Sequence, residues 1–304
     1  MTTSSKLALA EGTWISGKWN KNKYEVVRRL GEGANGQVYL VRSSKTAYAL
    51  KVGFDTVDLQ MEVNVLRSLD KGVPPGSRYL LEADDLTLTD RDYPFYVMRY
   101  VRGAHPQAFL HKQGMDWFEV LGYDLLKKLS ALHRRGYIFG DLKMDNVIVS
   151  EFGQADLVDY GGVTEKGRSV KQFTEVYDRG YWNAGSRKAD EAYDLFSFAV
   201  LSLHLADTRN RFASFIASLP QNRHLDDLIA AAQESPACQR FRPVLLKALT
   251  GQYRTSQEAA QEWRSLMLKS TRRTDTGKRS LWIQTAFAVS VLLFVSTLYI
   301  YFQR

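Results

Sequence analysis

Apolar positions in the first hundred residues fall into short runs bounded by Gly and polar clusters. Tyr24–Leu30, Gln37–Arg42 and Tyr48–Val52 are each a few residues long and rich in Val, Leu and Tyr, which predicts strands. The pattern then changes. Leu59, Glu62, Leu66 and Leu69 recur at spacings of three and four, so Val57–Leu69 is predicted to be a helix with an acid on its apolar stripe. Pro94–Gly103 reads as a strand running into a linker. Trp117, Leu121, Leu125, Leu129 and Leu132 mark a second amphipathic helix.

The last apolar stretch differs in kind. Leu281–Phe302 spans 22 residues with no charged side chain, long enough to cross a hydrocarbon core of ~30 Å. Trp282 at one end and Tyr299 and Tyr301 at the other suit the membrane interfaces. The N-terminal residues contain no apolar run long enough for export and read as a flexible polar arm. Only Gln303 and Arg304 follow the span. The expectation is a single C-terminal anchor in the cell membrane with everything before it in the cytoplasm, as the positive-inside rule requires.

Charge sharpens that picture. The net charge is +8, and residues 264–304 carry seven basic side chains against Asp275 alone, so most of the excess lies in the tail. Lys269, Arg272, Arg273, Lys278 and Arg279 are candidate polyanion contacts. Anionic membrane lipid is the nearer partner, each cation gaining about 1 kcal/mol there. DNA is the other, through phosphate contacts, since no aromatic residue interleaves the cluster. Ser270 and Thr271 are candidate phosphorylation sites that would lower the local positive charge. The contents of 45% apolar and 24% charged residues exclude a disordered chain. A single cysteine, Cys238, excludes an intrachain disulfide. The five histidines are scattered and form no metal-ligand pattern.

The chemistry gathers in Phe139–Val149 (FGDLKMDNVIV) and Asp159-Tyr160-Gly161. An acid, a cation two positions on, an amide five positions on and a second acid after a short apolar run suit phosphoryl transfer. Asp141 can orient an attacking hydroxyl, Lys143 can offset phosphoryl charge, and Asn146 with Asp159 can hold Mg²⁺, or Mn²⁺ in its place, against ATP. Upstream, Gly31-Glu32-Gly33-Ala34-Asn35-Gly36-Gln37-Val38 is a glycine loop between two strands. A strand after the last Gly disfavours a dinucleotide-binding turn, and no Gly-Lys-Ser/Thr P-loop exists. Lys51 lies in an apolar strand. It is either an edge residue reaching water or the partner that Glu62 needs on its apolar stripe.

This ordered set resembles bacterial Hanks-type (eukaryotic-like) Ser/Thr protein kinases, and among them the tail-anchored kinases of spore formers, which are linked to sporulation and DNA binding. The resemblance implies an α+β, bilobal protein-kinase-like fold with a β-rich N-lobe and an α-rich C-lobe. It divides the chain into an arm (1–23), N-lobe (24–98), hinge and C-lobe (99–267), basic juxtamembrane segment (268–280) and transmembrane helix (281–302). It further implies that Gly31–Gly36 and Val38 cover ATP, that Lys51 held by Glu62 grips its phosphates, and that Met98, Arg99, Tyr100 and Val101 line the adenine. Asp194 would bond the catalytic-loop backbone; by its residue type alone it is also an ordinary helix N-terminal acid. Protein substrates include the chain itself, and an oligomer is open to it. Thr164, Ser169 and Thr174 are candidate phosphorylation sites in the activation segment.

Three departures bear on control. Gly140 replaces the Arg that grips an activation-segment phosphate, Tyr160 replaces Phe, and the usual Ala-Pro-Glu is absent, leaving Arg254 without its expected partner. Two other readings remain: a pseudokinase-like membrane scaffold that binds a polyanion, and a kinase of small molecules.

Overall fold

In a computed structural model, which describes residues 9–33, 35–88, 91–275 and 279–303, the four predicted strands join two that were not expected, β1 and β5, in one six-stranded antiparallel sheet. Its members are β1 (Trp14–Ser16), β2 (Lys23–Gly33), β3 (Gly36–Ser43), β4 (Thr46–Gly53), β5 (Leu80–Leu88) and β6 (Arg91–Arg99), in the order β1-β2-β3-β4-β6-β5. Successive side chains face opposite ways. Leu50, Val52, Phe95 and Val97 join Val26 and Val41 in one small core. Ala49, Tyr96 and Met98 turn to the other face and meet α1 (Thr56–Leu69) through Leu59, Val63 and Leu66. Asp55 starts α1 by accepting from the backbone N–H groups of Val57 and Asp58.

The N-terminal arm departs from the expectation. Trp14–Ser16 pairs with Lys23–Glu25 in register, and the turn after it is anchored on the buried Asp84. That carboxylate accepts from the N–H groups of Trp19 (2.9 Å), Asn20 (2.7 Å) and Asp85 (2.7 Å). Burial works against its charge, but these bonds outweigh burial and hold its pKa below the ordinary value. The polar composition of the arm conceals an acid 60-odd residues away that satisfies its backbone.

The C-terminal lobe is helical: α2 (Pro106–Gln113), α3 (Trp117–His133), α4 (Glu191–Leu205), α5 (Arg211–Ala217), α6 (Leu225–Glu234), α7 (Arg242–Leu249) and α8 (Ser256–Asp275). Two short ladders sit where this lobe meets the sheet, β7 (Tyr137–Ile138) with β10 (Thr164–Glu165) and β8 (Val147–Val149) with β9 (Ala155–Leu157). They fix both ends of the chemistry-bearing segment. Trp263 of α8 is fully buried, stacks on Phe241 at 4.0 Å between ring centroids, and donates from its indole N–H to the Glu119 carbonyl at 2.8 Å.

The basic juxtamembrane segment (268–280) is helical as far as Asp275, where α8 continues from the domain without a break. Lys269 is exposed on it. Of Ser270, Thr271, Arg272 and Arg273 the backbone alone is described, and Thr276 and Lys278 lie outside the described residues. Arg279 begins α9 (Arg279–Phe302), whose Thr285–Phe302 stretch has a mean hydropathy of 1.9 and is long and apolar enough to cross a membrane.

Trp263→Ala should cost about 3–5 kcal/mol of stability, measured by denaturant unfolding. The loss would leave a void between α3, α7 and α8 rather than at the chemistry-bearing loop.

Candidate active site

The loop between β7 and β8 is held from below. Asp194 is fully buried in α4. One of its oxygens accepts from Phe139 N–H at 2.7 Å and from His133 Nε2 at 2.7 Å; the other accepts from Gly140 N–H at 2.9 Å. The reading of Asp194 as a mere helix-start acid therefore gives way. Gly140 has φ +82°, and a Cβ there would come within 2.7 Å of the Gly162 carbonyl oxygen. The left-handed backbone and this close approach both favour glycine.

On this support the polar side chains converge. Lys143 Nζ lies 2.7 Å from Asp141 Oδ2, and the Asn146 amide donates to the Asp141 carbonyl at 2.8 Å. Thr174 Oγ donates to Asp141 Oδ1 at 2.9 Å and receives Lys143 Nζ at 3.2 Å. Because Asn146 spends its N–H₂ on Asp141, its amide oxygen is left as an acceptor.

Lys51 comes from above. β4 is a central strand between β3 and β6, so Lys51 is buried instead of lying at an edge. Its ammonium meets Glu62 Oε2 at 2.8 Å, Glu62 Oε1 at 2.9 Å and Asp159 Oδ1 at 2.9 Å. Burial disfavours the ammonium, yet Asp159 and Glu62 more than offset it and hold the Lys51 pKa above its usual value. Burial pushes Glu62 up, while Lys51 holds Asp159 below the usual carboxylate range despite burial. Tyr96 donates to Glu62 Oε2 at 2.9 Å, a partner that strand alternation alone did not reveal.

The glycine hairpin closes the roof. A Cβ on Gly36 would sit 2.2 Å from the Val52 carbonyl oxygen, whereas Gly31 and Gly33 face open space. Glu32, Asn35 and Val38 lie in the same hairpin; Ala34 lies outside the described residues. Met98 is buried opposite Ala49, Arg99 ends β6, and Tyr100 and Val101 follow, half-buried. Asp159 and the Asn146 amide oxygen provide hard oxygen donors of the type Mg²⁺ requires, and the open glycines leave N–H groups accessible to phosphate.

A model of the protein kinase domain matches residues 24–280. The chain belongs to the protein kinase family. It is 36% identical over 283 residues to the serine/threonine-protein kinase YabT of Bacillus subtilis, covering 91% of this chain and 81% of that protein, in agreement with the bacterial Hanks-type Ser/Thr kinase expected above. It is also 25% identical to the serine/threonine-protein kinase LATS1 of Homo sapiens over 58% of this chain and 16% of that protein. The Cydia pomonella granulovirus kinase PK-1 shares the fold, with a TM-score of 0.56 at 16% identity over 75% of this chain and 87% of that one.

Several features of this kinase domain escaped the linear pattern. Tyr160 packs edge-on against both Phe139 and Tyr79, each at 5.9 Å, and so keeps the ring contact expected of Phe. Thr164 is buried and donates to the Gly162 carbonyl at 3.0 Å, Ser169 is exposed, and the Thr174 hydroxyl is engaged by Asp141. The missing Ala-Pro-Glu has local replacements. Arg179 makes a two-pronged pair with Asp190, both bonds 2.9 Å, and Arg187 pairs with Asp178. Arg254 stays exposed.

His133 is the clearest omission. It looked like one scattered histidine, yet it joins Asp194 to Ser256 at the start of α8, with Nδ1 2.8 Å from Ser256 Oγ and 3.5 Å from Glu191 Oε2. Burial disfavours its charged form, but Asp194 and Glu191 prevail and raise its pKa. A raised folded-state pKa makes this contribution complete below about 6.5, the unfolded value, and lost as pH rises through the folded value. Unfolding free energy should therefore decline over that window. His133→Asn should flatten the decline in a series of denaturant titrations.

Proposed function

We propose that the chain is an ATP-dependent Ser/Thr protein kinase that transfers the γ-phosphate to protein hydroxyls while tethered to a membrane by its C-terminal helix. The observation that carries the activity is the Lys51–Glu62–Asp159 cluster standing over Asp141, Lys143 and Asn146. Lys51 and Glu62 come from the N-lobe, Asp159, Asp141, Lys143 and Asn146 from the C-lobe, and the Lys51–Asp159 bond joins the two sets.

The division of labour follows from position. Lys51, oriented by Glu62, offers its ammonium to the α- and β-phosphates, and the N–H groups around Gly31 and Gly33 cover them. Met98 and the backbone of Arg99–Val101 bound the adenine. Asp141 accepts the proton of the substrate Ser or Thr hydroxyl as its oxygen bonds to the γ-phosphorus and the bond to the β–γ bridging oxygen breaks, leaving ADP. Lys143 lies against the charge that accumulates on the transferring group. Asn146 and Asp159 would hold Mg²⁺, which would supply positive charge against the phosphates.

The tail reading rests on charge and length. Lys269 with Arg272, Arg273, Lys278 and Arg279 precedes the apolar helix, an arrangement that draws anionic lipid headgroups to the cytoplasmic side. DNA or another polyanion could use the same cations and so regulate the enzyme, and autophosphorylation of Ser270 or Thr271 would weaken either contact.

Two measurements test this. With labelled ATP, Asp141→Asn and Lys51→Ala should lower transfer to the chain itself and to a generic protein by about 100-fold or more. Wild-type label no higher than in these variants would reduce the chain to a binding scaffold. Replacing the five tail cations by Gln should weaken binding to phosphatidylserine vesicles and to duplex DNA and flatten their salt dependence. Unchanged salt slopes would exclude the tail as the polyanion site.

A further inference from the structure

Gly140 has no side chain with which to hold an activation-segment phosphate, so another device must order that segment. We propose that Arg187 does so: it clamps the segment in its substrate-ready arrangement with no phosphate present, a positioning residue for the kinase activity read above, on which this inference rests.

Four contacts meet at Arg187, three of them at its guanidinium and one at its backbone carbonyl. Its Nε lies 2.5 Å from Asp178 Oδ2, and the Asp178 side chain is wholly buried. The other Asp178 oxygen accepts from Gly180 N–H at 3.0 Å and from the Tyr193 hydroxyl at 3.1 Å. The guanidinium plane also lies over the Phe173 ring at 4.3 Å and the Tyr181 ring at 4.7 Å. Finally, the Arg187 carbonyl accepts from Val170 N–H at 2.9 Å. That bond belongs to a short antiparallel ladder in which Gly167 N–H reaches Ala189 O at 2.7 Å, Ala189 N–H reaches Arg168 O at 2.7 Å, and Ser169 bridges Lys188.

Arg187 therefore touches the segment before Thr174, at Val170 and Phe173, and after it, at Asp178 and Tyr181. Between those grips Thr174 delivers its hydroxyl to Asp141. The clamp needs a planar cation that can stack on two rings and still pair with a carboxylate. Arginine has that shape and lysine does not. In kinases that use a phosphate, modification supplies the anion that orders the segment. Here the anion is Asp178, present from synthesis and shielded from water.

The test uses the full-length chain in detergent micelles, stripped by a phosphatase and checked by intact mass. Stripped wild type and Ser169→Ala should phosphorylate a generic protein within about twofold of the untreated chain, while Arg187→Ala and Arg187→Lys should lose about tenfold or more in kcat with little change in KM for ATP. The double variant Asp178→Asn/Arg187→Gln removes both charges, so it should regain thermal stability without regaining kcat. Wild-type kcat in Arg187→Lys or in the double variant would overturn the proposal, as would a tenfold loss on stripping the wild type. Amide exchange gives a readout independent of transfer: protection across 167–178 should drop about tenfold in Arg187→Ala. Unchanged exchange defeats the clamp. Increased exchange in a chain whose wild type transfers no phosphate defeats the kinase reading alone.

Discussion

The buried carboxylate of Asp194 is the constraint on which the rest of the site depends. A charge so deeply buried persists only if its oxygens are satisfied. Here the satisfaction comes from the backbone of Phe139 and Gly140 and from His133. The electrostatic requirement of one helix thereby fixes the loop that bears Asp141, Lys143 and Asn146. Through His133 and Ser256 the same network ties that loop to the first turn of α8, and Glu191 binds Lys166 at the base of the activation segment.

A second buried charge joins the lobes. Lys51 belongs to the sheet, Glu62 to α1 and the part-exposed Asp159 to the turn after β9, and Lys51 and Glu62 would each be expensive to bury alone. Mutual neutralisation makes the arrangement self-supporting: α1 must pack inward for Glu62 to reach, and the turn must face the sheet for Asp159 to reach. Asp178 with Arg187 applies the same logic to the activation segment. Three carboxylate-centred clusters thus order the loop, the lobes and the substrate-facing segment.

Much of this was legible in one dimension. Periodicity located four of the six sheet strands, α1 and α3, and an acid on the apolar stripe of α1 pointed to Lys51. The spacing of Asp141, Lys143, Asn146 and Asp159 named the chemistry. Illegible were contacts whose partners lie far apart in sequence and whose residue types are common. Nothing local marks His133 for Asp194 or the N-terminal turn for Asp84. Nor does anything local mark Arg187, whose value lies in a pairing with the buried Asp178 and a stack on Phe173 and Tyr181 that only folding creates.

By itself the sequence determined the inventory: which elements form, which side chains can do phosphoryl transfer, where positive charge accumulates and where an apolar helix long enough for a membrane lies. Those properties depend on residue type and short spacing, so a linear reading reaches them. Only the tertiary structure decided which charges are buried together, since burial and pairing arise when distant segments exclude water from a shared site. That is why Gly140, an apparent defect in the catalytic motif, acquires its meaning from Asp194 beneath it, Gly162 against it and Arg187 across the activation segment.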